Sequence, residues 1–144
     1  LKELLETLKD FNVRVHSKGE TPSAKTDIFV ADSIGETGLW YKASEVALIG
    51  GTFSDVEGKN PWEALNLNCM VTFGPRHSKF KDDFKLLEKL NLASQIDSAK
   101  DLFKILSRKN NSADLHSFGK LKTKLDKDLD ILVKDLLFLI SSEH

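Results

Sequence analysis

The chain has 144 residues, 40% of them hydrophobic and 30% charged, with a formal net charge of -1 at neutral pH. That length fits one domain of ordinary size with a proper core, and so small a net charge gives no support for a nucleic-acid partner. The single cysteine, Cys69, excludes an internal disulfide framework and fits a reducing compartment, and no run approaches the ~18 apolar residues of a membrane span.

Leu1, Leu4, Leu5 and Leu8 share one face at helical spacing, which predicts an amphipathic helix over 1–10. Leu1 reads as mid-helix and the chain does not begin with Met, so a piece of a longer protein is expected. Val13 to Ser17 alternates as a strand does, Lys18 to Thr26 is a loop of Gly, Pro, Ser and Thr, and Asp27 to Ala31 reads as a second strand. Asp32-Ser33-Ile34-Gly35-Glu36 is a polar turn, and Thr37 to Ala43 is expected to form a short helix carrying Leu39, Trp40 and Tyr41.

The third strand, Glu45 to Ile49, ends in Gly50-Gly51, which let the backbone turn sharply and approach a ligand closely. A polar loop follows, and then Asn60-Pro61-Trp62-Glu63 opens a helix expected to run to about Leu67. Asn60 suits the N-cap and Pro61 the first helical position. The free N–H groups of such a helix start favour an anion, and Glu63, one turn in, is placed to meet a sugar hydroxyl. Asn60 and Glu63 also have capping-box spacing, with Asn in place of the usual Ser or Thr, so a helix cap and a ligand contact both stay open. An ATP-type phosphate loop is excluded, because six residues rather than four separate Gly51 from Gly58 and Lys59 is followed by Asn60.

Asn68 to Phe73 reads as the fourth strand, closed by Gly74-Pro75. Lys79 to Leu90 is an amphipathic helix with Phe80, Phe84, Leu87 and Leu90 inward, Ala93 to Ile96 an edge strand, and Ser98 the cap of a helix reaching about Arg108. Leu121, Leu125, Leu129, Leu132, Leu136 and Leu139 recur at three- and four-residue steps, which predicts a long C-terminal helix lying across the domain or against a neighbour. Strands alternating with helices predict an α/β fold, a Rossmann-like parallel sheet flanked by helices on both faces, in one domain over 1–144.

In such sheets ligands bind beyond the carboxyl ends of the strands, where the turns Asp32 to Glu36, Gly50 to Asn60 and Gly74 to Lys79 all fall. Arg76, His77 and Lys79 form either an electropositive rim for an anionic ligand or a solvated loop. Asp82 and Asp83, and the alternating Lys and Asp of 122–134, read as solvated helix faces. Cys69 reads as a buried inert thiol, His16 as structural or exposed, and His116 and His144 carry no pattern; no His/Cys cluster supports a metal site.

Taken together, Asp32-Ser33-Ile34-Gly35-Glu36, the strand ending Gly50-Gly51, then Gly58-Lys59-Asn60-Pro61-Trp62-Glu63, Gly74-Pro75 and Phe80 resemble bacterial 3-deoxy-D-manno-octulosonic acid (Kdo) transferase, in order and spacing over about 13–106. The resemblance implies the later part of the C-terminal, nucleotide-sugar-binding domain of a two-domain GT-B glycosyltransferase. That enzyme moves Kdo from CMP-Kdo to the lipid A precursor of lipopolysaccharide, with inversion, at the cytoplasmic face of the bacterial inner membrane. It implies that Ile34, Gly35 and Glu36 line the nucleotide side, that Asn60 faces phosphate or sugar carboxylate and Glu63 the ribose, and that Ser33, Gly51 and Lys59 are also substrate-binding. No cofactor or metal is implied, and the donor CMP-Kdo is the partner expected for this piece. The catalytic glutamate base, the lipid A precursor site and any membrane anchor are expected in the N-terminal domain, so the piece alone is expected to be inactive. Where the family pattern usually reads Gly-Gly-His-Asn-Pro-Leu-Glu-Pro, Glu57 replaces a Gly, Lys59 the His, Trp62 the Leu and Ala64 the last Pro; Ser33 replaces a Thr. Lys59 keeps a cation beside the expected phosphate, whereas Glu57 adds negative charge there.

Overall fold

The computed structural model describes residues 1–107 and, between 118 and 134, all but 121, 125, 128 and 132. The chain divides into two compact units, Leu1–Thr37 and Gly38–His144.

In the first unit, helix α1 (Lys2–Thr7) precedes strand β1 (Val13–Val15), a 3₁₀ turn (His16–Lys18) and strand β2 (Ile28–Val30). β1 and β2 pair in parallel, with Val13 opposite Ile28 and Val15 opposite Val30. Asn12 holds the return of the connecting loop, its N–H donating to Asp27 and its side-chain amide to the Lys25 carbonyl at 2.7 Å. β1 stops at Val15, two residues short of the expected end, because the chain turns through His16–Lys18 into Gly19 at φ 74, a left-handed conformation suited to glycine. α1 is shorter than the predicted 1–10 and buries none of its residues, so its leucine face meets no core within this unit.

The second unit carries α2 (Thr37–Ala43, which starts at the boundary), β3 (Val46–Leu48), α3 (Trp62–Leu65), β4 (Met70–Phe73), a 3₁₀ turn (Ser78–Phe80), α4 (Lys81–Lys89), β5 (Ala93–Gln95) and α5 (Ala99–Leu106). Its sheet runs β3-β4-β5, all parallel, with Ala47 opposite Val71 and Thr72 opposite Ser94. β4 is central and buried along its whole length, as a strand covered on both faces must be. Side chains alternate along it. Val71 and Phe73 join Ala64 and Leu65 of α3 and Phe84 and Leu87 of α4 in the larger core cluster. Met70 packs instead with Ile96 and Ile105, and Val46 and Leu102 lie against them.

Two asparagines end helices that the hydrophobic pattern alone extends too far. Asn91 lies at φ 56, its N–H bonds the Glu88 carbonyl, and the Leu92 N–H bonds that of Leu87, a Schellman ending. The helix therefore finishes before Leu90, which is 48% exposed rather than inward, and Leu92 takes the core position. Asn68, at φ 61, does the same after α3, with the Cys69 N–H on the Ala64 carbonyl, so β4 starts at Met70 rather than Asn68. Ser98 caps α5 by accepting the Asp101 N–H. The described residues of 118–134 are helical; Phe118 packs against the larger cluster and Lys122 Nζ donates to the Asn66 carbonyl at 3.2 Å. Of the predicted leucine stripe, Leu121, Leu125, Leu132, Leu136 and Leu139 lie outside the described residues, as do Arg108, His116 and His144.

Candidate functional site

In the first unit the turn after β2 is held at both ends and open between them. Asp32 accepts the Ser17 N–H at 2.8 Å and the Ser17 hydroxyl at 2.6 Å, and these bonds, the hydroxyl's first, hold its carboxyl below the ordinary range. The Ser33 hydroxyl donates to the Glu36 carboxylate, and His16 Nδ1 stands 3.5 Å from the same oxygen. His16 is thus a neighbour of a candidate ligand residue, with its ring edge-on to Phe29 at 6.1 Å. Between these anchors Ile34 is fully exposed and Gly35 takes a left-handed φ of 92. An apolar side chain held out at the tip of a pinned turn is free to cover a planar ligand surface.

In the second unit the loop after β3 and the turn after β4 are joined through Thr52, a residue the sequence reading passed over. Thr52 is fully buried, its hydroxyl donates to the Ile49 carbonyl at 2.7 Å, and the same oxygen accepts the Gly74 N–H at 2.7 Å. Its carbonyl accepts the Arg76 N–H at 2.9 Å. Gly74 is required by space: a Cβ there would lie 2.5 Å from the Thr52 carbonyl oxygen and 2.6 Å from the Phe53 ring. A threonine directly after the Gly-Gly break, facing another strand's terminal glycine, was the available signal, but only the sheet register brings the two together.

Two side-chain pairs close the seam above Thr52. Arg76 forms an ion pair with Asp55, and the Ser78 hydroxyl donates to Glu57. Arg76 therefore has a carboxylate partner rather than standing as an open cationic rim. His77 Nδ1 bonds the Gly74 carbonyl at 3.1 Å, so that nitrogen carries the proton, and its ring meets Phe73 and Phe84 edge-on at 4.8 and 5.4 Å. Lys59 and Lys79 are exposed.

At the start of α3 Pro61 takes the N-cap place expected for Asn60, whose side-chain oxygen accepts the Trp62 N–H at 3.0 Å from one residue further out; its amide NH₂ has no hydrogen-bond partner among the described residues. The helix itself is four residues long, shorter than the predicted span to Leu67. The Trp62 indole N–H donates to Asp83 at 2.7 Å and ties α3 to α4, so Asp83 is a partnered residue and not part of a solvated face. Glu63 is exposed and makes no hydrogen bond among the described residues; its charge adds to burial in raising the Tyr41 hydroxyl above its ordinary range, burial being the larger cause. Gly51, at φ 80, packs where a Cβ would meet Val56 at 2.8 Å. Gly51, Lys59, Asn60 and Glu63 thus lie on one loop and helix start in the second unit, and Ser33 to Glu36 lie in the first. Among the described residues no three His, Cys, Asp or Glu side chains gather as a metal site, and Cys69 is buried with its thiol pushed up to about 11.

No family model matches the sequence. The chain is 28% identical to the 3-deoxy-D-manno-octulosonic acid transferase of Rickettsia conorii over 98% of its own length, which covers 31% of that protein. It is 32% identical to the enzyme of the same name from Rickettsia prowazekii over 81% of its length, or 24% of that protein. The crystal structure of the C-terminal CMP-Kdo binding domain of WaaA from Acinetobacter baumannii matches 81% of this chain and 66% of that one, with a TM-score of 0.72 and 26% identity. The chain spans about a third of the length of the first such relatives, 31% to 35%.

Proposed function

We propose that this chain, a relative of the carboxyl-terminal part of the bacterial 3-deoxy-D-manno-octulosonic acid transferases, is the donor-binding part of such an enzyme. The whole protein moves Kdo from CMP-Kdo to the lipid A precursor, with inversion at the anomeric carbon, at the cytoplasmic face of the inner membrane. The observation that carries this reading is the likeness to a CMP-Kdo binding domain over 81% of the chain. No described helix is long and apolar enough to cross a membrane.

The chemistry of the residues supports the assignment. Glu63 is an exposed carboxylate able to accept two ribose hydroxyls, and the free amide of Asn60 suits a phosphate or sugar carboxylate oxygen, with Lys59 beside it. Gly51 lets the backbone come close. Ser33 fixes Glu36, while Ile34 and Gly35 present an open apolar tip to the nucleotide. A carboxylate base outside this chain takes the acceptor proton, and Asn60 and Lys59 stabilise the departing CMP phosphate.

Titration of the labelled chain with CMP and with UDP, followed through the amide signals of Gly35 and Glu63, tests this. CMP is expected to move the Glu63 signal of the second unit and UDP to leave it unmoved, and the Gly35 signal tests the turn of the first unit by itself. Glu63→Ala and Asn60→Ala are each expected to weaken CMP binding about tenfold, the scale of a lost hydrogen bond to a charged group. Equal response to UDP would assign another nucleotide sugar, and no response to either would overturn the donor-site reading.

A further inference from the structure

The loop after β3 and the turn after β4 leave neighbouring parallel strands at their carboxyl ends, the place where open α/β sheets take their ligands. In the second unit that seam is not left open. Asp55 holds Arg76, and Glu57 holds the Ser78 hydroxyl. The guanidinium and the hydroxyl are two groups of this turn suited to a phosphate oxygen, and both already carry a carboxylate. His77 has Nδ1 committed to Gly74.

We infer that Asp55 and Glu57 are internal competitors for the donor's anionic groups: they occupy Arg76 and Ser78 in the free chain and set how tightly an anionic nucleotide binds. This rests on the donor-site reading above and adds to it two affinity-determining residues.

The contacts are poor stabilisers, which argues against a purely structural role. The Asp55 side chain is 92% exposed and that of Arg76 is half exposed, and such surface pairs contribute little and are readily exchanged. The loop does not need them for its position, because the buried Thr52 already joins it to Gly74 through its hydroxyl and to Arg76 through its carbonyl. Glu57 also sits at φ 60, a left-handed conformation that suits glycine. The backbone there gives no reason for a glutamate, while the charge has an evident partner. An anionic oxygen of the ligand, phosphate or carboxylate, can take over either position, and the displaced carboxylate then turns to solvent.

The test uses the whole chain and a double variant, Asp55→Asn with Glu57→Gln, which keeps side-chain size and hydrogen-bonding capacity but removes both charges. CMP and uncharged cytidine are titrated into each by calorimetry, with the Gly74 and Arg76 amide signals checking that the Thr52 junction is intact. The variant is expected to bind CMP about two- to fivefold more tightly, the scale of one surface charge contact, with cytidine unchanged. CMP affinity equal to or below that of the natural chain would overturn the inference while leaving the donor site standing. An equal gain for cytidine would also overturn it, since an opened loop rather than charge competition would then be the cause. Failure of both chains to bind CMP would sink the donor-site reading itself, and this inference with it.

Discussion

Thr52 holds together what the glycines beside it merely allow. Its hydroxyl is bonded on both sides, to the Ile49 carbonyl and from the Gly74 N–H, in a place with no access to water. Thr52→Val keeps the shape and leaves both backbone groups without a partner, so a loss of about 2–3 kcal/mol in urea unfolding is expected. Thr52→Ser, which keeps the hydroxyl, should restore most of it. At Cys69 burial favours the neutral thiol in the folded chain, where its value is pushed up to about 11. The unfolded chain gives up that proton at lower pH. Below the unfolded value the folded thiol contributes its full share; stability then falls as pH climbs toward 11 and the loss levels off above it. Cys69→Ala should flatten that part of the alkaline unfolding profile, and the native thiol should resist alkylation until the chain is denatured. Residues of this kind divide sharply in legibility. The Gly50-Gly51 break and the Asn60 bond to the start of α3 are visible in the sequence because each acts on its own neighbours. Thr52 and Asp83 act on partners about twenty residues away, and nothing local marks them.

The elements were readable to within a few residues where period and punctuation agree. β3, β4, β5, α2 and α5 all fall within their predicted spans as far as the described residues go, because β-branched runs and N-cap residues decide them locally. The errors gather at helix ends. Asn68 and Asn91 adopt left-handed conformations that stop α3 and α4, whereas hydrophobic spacing has no term for a backbone reversal. Asn91→Gly should keep or slightly raise stability, and Asn91→Val should lower it by about 1–2 kcal/mol, the cost of placing a branched side chain in that conformation. Thermal unfolding of the two variants side by side checks this, and an unharmed Asn91→Val chain would show that the turn can re-form another way. α1 fails differently: its leucine spacing is real, yet no residue of the helix is buried. Amphipathic spacing predicts a helix with an apolar face but not what covers that face.

At the scale of the whole molecule, the chain spans about a third of the length of the first relatives it matches, 31% to 35%, and the proposed division of labour rests on that. The chain is expected to bind CMP and to transfer no Kdo by itself, whereas a protein that adds the remaining part of its relatives' length should transfer it. Turnover assays on both decide the matter, and Kdo transfer by the 144-residue chain would refute the assignment of the base to another part. The alternation of strands and helices, the parallel sheet and the glycine-rich break after β3 were set by local propensity and period, which act over a few residues and so can be read from sequence alone. The Thr52 junction, the Trp62–Asp83 tie and the carboxylates held by Arg76 and Ser78 were decided by tertiary structure. Each depends on which strand lies beside which and in what register, and that is settled only when the whole core packs.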